Sequence, residues 1–214
     1  MVSPFERAVR RVAAAGACVL VLSVLVGCTN DSDRPRPAPS QPPAPTAAAP
    51  TLEPRPVPLQ VRVTRVHGRL AKADQALLER NIGRTVGAYF DDAYLGGRYP
   101  RDEFRSSFAT FTSGAARQAA HDRSLLTHAV LGASTHAVVP EQKRAWLSVL
   151  APNRVAAGVT ARIQLVYLAD RGEAQDQRVT VTGRLLLTRK KAGEWQIFGY
   201  DVARAAGPAE NGAP

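Results

Sequence analysis

The thiol of Cys28 is the reactive group whose sequence surroundings are most specific. It lies between Val12–Val26, a mostly apolar run that follows three arginines, and the polar segment Thr29–Asp33. A membrane-spanning helix needs about 20 apolar residues, so this run is too short to cross a bilayer comfortably. It does have the length of the apolar region of a secretory signal. The sequence therefore predicts a signal peptide over residues 1–27.

The segment Leu25-Val26-Gly27-Cys28 resembles the lipobox of bacterial lipoproteins at each of its four positions. In that family the cysteine sulfur receives a diacylglycerol group, the chain is cut before the cysteine, and the new amino terminus is often acylated. The Ala- and Arg-rich composition resembles that of actinobacterial secreted proteins. The resemblance implies a lipoprotein that is attached by Cys28 to the outer face of the cell membrane. An uncut signal anchor and plain secretion are the alternatives.

Signatures of common enzymes are missing from the sequence. It contains no G-x-S-x-G, H-E-x-x-H, P-loop or G-x-G-x-x-G pattern. Removal of the signal peptide also removes Cys18, which leaves Cys28 alone and excludes a disulfide or a Cys/His zinc site. No compact metal-binding motif is formed by the four histidines, His67, His121, His128 and His136. The sequence thus favours a protein without catalytic residues, metal or cofactor.

The chain is strongly basic, with a formal net charge of +10. A basic surface favours an anionic partner. Outside the cytoplasm we expect anionic phospholipid headgroups or acidic cell-wall polymers rather than nucleic acid. Arg162, Arg178 and Arg184 are candidates for such a surface, since they share one face of predicted strands and guanidinium groups bind phosphate and carboxylate bidentately. A dispersed charge that serves only solubility is the alternative.

Composition divides the mature chain into three parts. Residues 28–58 contain the lipidation site and a Pro- and Ala-rich segment that we expect to be a disordered tether, because it has few groups to bury. Residues 59–204 have the length and pattern of one folded domain. Residues 205–214 are mostly small, and are predicted to be a disordered tail.

Hydrophobic periodicity predicts the elements of the domain. A strand at Leu59–Val66 precedes a helix over Lys72–Leu95, whose apolar residues recur every three or four positions. Short helices are expected between Arg101 and Leu126, with Thr112-Ser113 as a possible N-cap. Alternating patterns then predict strands at Val130–Val139, Lys143–Leu150, Val159–Tyr167, Val179–Leu187 and Glu194–Val202. This order indicates an α+β fold with helices on one face of a curved antiparallel sheet.

The order of elements and the closing segment Trp195–Asp201 resemble the superfamily of nuclear transport factor two and ketosteroid isomerase. That superfamily encloses a cone-shaped pocket between its helices and its sheet, and its isomerases use carboxylates and a tyrosine there. The resemblance implies ligand-binding positions at Tyr89, Asp92, Tyr167 and Asp201. The strand before the first helix departs from the common pattern, and we expect it either to pair at the sheet edge or to indicate another α+β fold.

Together these patterns favour a membrane-anchored, non-catalytic lipoprotein. Its basic domain is expected to bind an envelope protein or a small apolar ligand. The alternatives are a small isomerase or hydrolase of the same fold and a structural subunit of an envelope secretion or conjugation assembly. A cavity lined by carboxylates would favour the enzyme, and an apolar cavity would favour binding of an apolar ligand. A filled core with an exposed apolar sheet face would favour the assembly subunit.

Overall fold

The computed structural model describes residues 56–190 and 193–209. The predicted signal peptide, Cys28, the tether up to residue 55 and the last five residues lie outside this part of the chain. Among the described residues, no helix is both long enough and apolar enough to cross a membrane. The described chain forms helices and a five-stranded sheet, so the predicted α+β class is confirmed.

The five strands lie in the sheet in their order along the chain. The last four form an antiparallel meander, whereas the first pairs in parallel with the second at the edge. A parallel pair needs a long crossover connection, and the helical segment between the first two strands supplies it. The sheet is therefore mixed. The strands are β1 (Gln60–Gly68), β2 (Ala137–Ala151), β3 (Gly158–Asp170), β4 (Gln177–Arg189) and β5 (Trp195–Pro208).

The main helix, α1 (Lys72–Phe90), continues as a short π-helix over Asp91–Leu95, so helical structure covers the whole predicted range. Gly83 and Gly87 allow β1 to approach α1 closely. A Cβ atom at Gly83 would stand 3.2 Å from Val61 Cγ2, and one at Gly87 would stand 3.9 Å from a methyl group of Leu59. The missing side chains thus make room for β1.

Short helical segments complete the helical layer. Thr112 caps α2 as predicted, since its Oγ1 accepts a hydrogen bond from the Ala115 amide at 3.4 Å. Between α1 and β2 lie a 3-10 turn (Arg105–Phe108), α2 (Ser113–His121), α3 (Arg123–Leu126) and α4 (Ala129–Gly132), and a second 3-10 turn (Pro152–Arg154) follows β2.

Two predicted boundaries are wrong. The predicted strand Val130–Val139 begins as a helical turn in α4, and only its last three residues join Lys143–Leu150 in the single strand β2. Pro140 is tolerated because it stands at a β-bulge, where a missing ladder donor costs little. At the other end, β5 continues to Pro208, which pairs with Gln177, so residues 205–208 belong to the sheet rather than to a tail.

The two faces of the sheet differ in character. The inner face packs on α1 and the short helices and buries apolar side chains such as Leu147, Ile163 and Leu185. Along each strand, residues alternate between this inner face and the outer face, here called the open face, on which none of the described helices packs. This arrangement leaves two regions in which a functional site could lie, the core under the helices and the open face.

Candidate functional site

Two of the predicted ligand-binding residues, Tyr89 and Tyr167, lie in the core between α1 and the sheet. Both are fully buried. The hydroxyl of Tyr89 donates to the carbonyl oxygen of Leu126 at 3.0 Å and lies 3.3 Å from the hydroxyl of Tyr94. The rings of Tyr94 and Tyr167 are 6.1 Å apart, so Tyr94 connects the two predicted residues.

His128 extends this cluster to the end of the helical layer. Its Nδ1 lies 2.7 Å from the hydroxyl of Tyr167, and its Nε2 lies 2.9 Å from Thr135 Oγ1. Burial lowers the pKa of His128 from 6.5 to about 4, and the positive charges of Arg204 and Arg101 act in the same direction. His128 is therefore neutral at physiological pH. We call Tyr89, Tyr94, Tyr167, His128 and Thr135 the tyrosine–histidine cluster.

The tyrosines of this cluster are hydrogen-bonded phenols rather than bases. Burial raises the pKa of Tyr89, Tyr94 and Tyr167 far above the ordinary value, because an ionised phenol would lose its hydration. Tyr99, at the margin of the cluster, has its pKa raised by burial to about 12, and its hydroxyl donates to the carbonyl oxygen of Tyr94 at 2.7 Å.

The two predicted carboxylates are not brought to these tyrosines. Asp201 is exposed on the open face, where it accepts a hydrogen bond from Arg184 Nε at 3.2 Å. Asp92 lies in the π-helical segment, and its main-chain carbonyl accepts bonds from Arg101 and Ser107, both at 2.9 Å. A site that pairs a carboxylate with Tyr89 or Tyr167 is not assembled.

The tyrosine–histidine cluster is closed to solvent, since all five of its side chains are fully buried. Five of the depressions that open on the surface of the described residues are lined by residues outside this cluster. Each hydroxyl has a partner inside the protein, as buried polar groups require. The cluster therefore serves to join the helical layer to β3 in a satisfied polar core.

The open face carries accessible charged and aromatic side chains. Trp146 on β2 is half-buried and stands opposite Arg162 on β3, which stands opposite Arg184 on β4. The Arg162 guanidinium carbon lies 5.5 Å from the centre of the Trp146 ring, within the range of a cation–π contact. Two of the five depressions meet at this Trp–Arg pair.

The predicted arginine cluster is formed only in part. Arg162 and Arg184 are register partners, whereas Arg178 lies near the far end of β4 and pairs with Glu141 at 2.6 Å. Within residues 56–190 and 193–209, no three His, Cys, Asp or Glu side chains come close enough together to hold a metal ion.

A scan against known protein families and searches of curated proteins and of solved structures found no match to this chain.

Sequence reasoning missed three residues of these two regions. Tyr94 follows the periodic part of α1, and its burial depends on the π-helical turn, which no residue pattern signals. The spacing of His128 from the other histidines tests only for a metal site and does not indicate a polar core. Trp146 lies between the buried residues Ala145 and Leu147, and this alternation is the signal that places it on the open face.

Proposed function

We propose that this protein is a non-catalytic lipoprotein, anchored through Cys28 to the outer face of the cell membrane, whose domain binds an envelope partner. The lipobox resemblance supports the anchor, and the Pro-rich segment between Cys28 and the domain supports a tether. The domain then lies away from the lipid surface. An extended tether spans about 3.1 Å per residue, which sets the upper limit of this distance.

The observation that carries the binding role is the contrast between the filled core and the open face. The hydroxyls of Tyr89, Tyr94 and Tyr167 are all hydrogen-bonded within the protein. The open face instead offers an indole and several guanidinium groups to solvent. An apolar ligand would need space under the helices, so this contrast favours the open face as the binding surface.

The cone-like curvature and the likeness to the nuclear transport factor two and ketosteroid isomerase superfamily belong to this proposal. The order of α1, short helices and the β2–β5 meander supports them. In this chain the tyrosine–histidine cluster occupies the space under the helices, and the carboxylates Asp92 and Asp201 lie apart from it. This separation favours binding over isomerase or hydrolase chemistry.

Site-specific photo-crosslinking in intact cells tests the proposal. A photoreactive amino acid replaces Thr182, which is exposed on the open face next to Arg184, and in a matched protein it replaces Arg117, which is exposed on α2. We expect an adduct at position 182, reduced when Arg162→Ala is added, and none at position 117. Equal labelling at both positions, or none at 182, would exclude the open face as the binding surface.

A further inference from the structure

Side chains from all five strands form one line across the open face. Successive register partners are Arg62 on β1, Trp146 on β2, Arg162 on β3, Arg184 on β4 and Asp201 on β5. Partners on neighbouring strands point to the same side and have Cβ atoms roughly 4.5–5.5 Å apart. The register therefore collects three arginines and one indole in a single row.

The middle of this row is recessed. One depression, with a volume of about 410 Å³, extends from Trp146 and Arg162 toward Thr182 and Arg184. The other, of about 380 Å³, extends from the same pair toward Arg65 on β1. Both depressions are lined by Trp146 and Arg162, so they adjoin at this pair; together they reach from β1 to β4, and we call them the trough. Three strand spacings of ~4.8 Å make it ~14 Å across, enough for several units of an extended polymer.

The trough is positively charged. The acidic residues of the five strands are Glu141, Asp170 and Asp201. Glu141 is paired with Arg178 and Asp201 with Arg184, both outside the middle of the trough. Among the described residues, Arg65 and Arg162 form no ion pair, and both are exposed. An anionic ligand would complement this charge.

The side chains of the trough match an acidic sugar polymer. A guanidinium group binds carboxylate or phosphate through two parallel hydrogen bonds. An indole offers a flat apolar surface beside a single N–H donor, which suits the apolar face of a sugar ring. Hydroxyl and amide groups from Ser148, Thr160 and Gln164 can bond to sugar hydroxyls. An acid group bound by Arg162 would lie next to a ring stacked on Trp146.

A lipid surface fits the trough less well than a polymer. The binding groups lie in a recess rather than on a protruding patch, and the proposed tether would hold the domain away from the bilayer. We infer that the trough binds an acidic polysaccharide of the cell envelope, with carboxylate or phosphodiester groups along its backbone. This inference rests on the proposed function, since it names the partner of the same open face.

Tryptophan fluorescence can report this binding directly. The chain has two tryptophans, and Trp195 is buried at 7% exposure whereas Trp146 lines the trough. Protein purified from membranes is placed in neutral phosphatidylcholine vesicles and titrated with polygalacturonate, which carries one carboxylate per sugar. We expect a saturable change in emission that NaCl weakens, because salt screens exposed charges. Neutral dextran should give no change.

Matched arginine variants test where the polymer binds. Arg162→Ala should weaken binding tenfold or more, and Arg162→Lys, which keeps the charge but loses the planar fork, should weaken it by a smaller factor. Arg117→Ala removes the same charge from α2 and should change affinity by less than twofold. Thermal unfolding verifies that each variant is folded.

Three results would overturn the inference: no response to polygalacturonate, equal weakening by Arg162→Ala and Arg117→Ala, or an equal emission change on phosphatidylglycerol vesicles without the polymer. The last would make the lipid surface the occupant. If position 182 still crosslinks in cells while polygalacturonate does not bind, the polysaccharide is excluded and the proposed function stands. If position 182 also gives no adduct, both fail.

Discussion

The hydroxyl of Thr135 donates to the carbonyl oxygen of Leu131 at 2.9 Å, and this bond determines the tautomer of His128. A hydroxyl has one proton to donate, so Thr135 Oγ1 must accept from Nε2–H of the histidine. Nδ1 then accepts the proton of the Tyr167 hydroxyl. At the scale of single residues the cluster is thus an ordered chain of donors and acceptors built around a neutral imidazole.

The stability of the domain should depend on pH through His128. Its pKa is about 4 when folded and near 6.5 when unfolded. Below pH 6.5 the unfolded chain gains a proton that the folded chain does not bind. The free energy of unfolding should therefore fall as pH drops from about 6.5 to 4, by at most about 1.4 kcal/mol per pH unit. Above pH 6.5 the full stabilising contribution of the neutral His128 should be present.

Urea titrations at several pH values measure this dependence, and His128→Gln is the control because it removes the titrating group. The loss of stability between pH 6.5 and 4 should be smaller in the variant. An NMR titration that gives His128 a pKa near 6.5 in the folded protein would contradict the buried, neutral imidazole.

Tyr89→Phe tests whether the core hydroxyl serves structure or a ligand. The substitution leaves the Leu126 carbonyl without its donor in a buried place, which should cost about 1 kcal/mol or more of unfolding free energy. Tyr200→Phe is the matched control, since the Tyr200 hydroxyl bonds to the partly exposed Asp122 and its loss should cost less. Chemical denaturation compares the two, and an unchanged stability in Tyr89→Phe would indicate a hydroxyl free to bind a ligand.

At the scale of elements, α1 is the part that joins the helical layer to the sheet. Ile82, Val86 and Tyr89 are fully buried on its inner side, and β1 approaches through the two glycines. Most of this helix could be predicted because its apolar residues recur with helical period over many turns. The π-helical end could not, since a wider turn leaves the residue pattern unchanged.

Ile82→Ala should destabilise the domain by about 2–5 kcal/mol, because it removes apolar contacts and leaves a cavity in a packed layer. Leu77→Ala on the same helix is the control, since Leu77 is 49% exposed and its loss should cost far less. Urea denaturation monitored by circular dichroism measures both. Similar losses in the two variants would mean that α1 does not pack on the sheet as described.

Only part of the sheet could be predicted from the sequence. Alternating apolar and polar residues predict β3, β4 and β5, since one face of each strand is buried. The parallel pairing of β1 and the bulge that keeps Pro140 within β2 depend on partner strands, which the local pattern does not identify. Asp201 was misplaced for the same reason. Alternation from the buried Trp195 and Ile197 would put it on the inner face, but the register shift between β4 and β5 at Leu186 and Leu187 moves it to the open face, where it pairs with Arg184.

At the scale of the whole molecule, we propose that a lipid on Cys28 holds the basic trough of the open face near the outer surface of the membrane. The chain has a formal net charge of +10, and removal of residues 1–27 deletes three arginines and one glutamate and leaves +8. Positive charge of this size favours an anionic partner wherever the domain is held. The proposed anchor would therefore limit the partners of the trough to anionic groups outside the cytoplasm.

The mass of the N-terminal peptide in the membrane fraction tests this proposal most directly, because every role proposed for the open face requires the domain to be held on the outer side of the membrane. We expect a peptide that begins at Cys28 and carries a diacylglycerol group. We also expect that Cys28→Ser abolishes both this lipid and the retention of the protein in the membrane. A peptide with an unmodified Cys28, or a variant that stays in the membrane after the same cleavage, would contradict it.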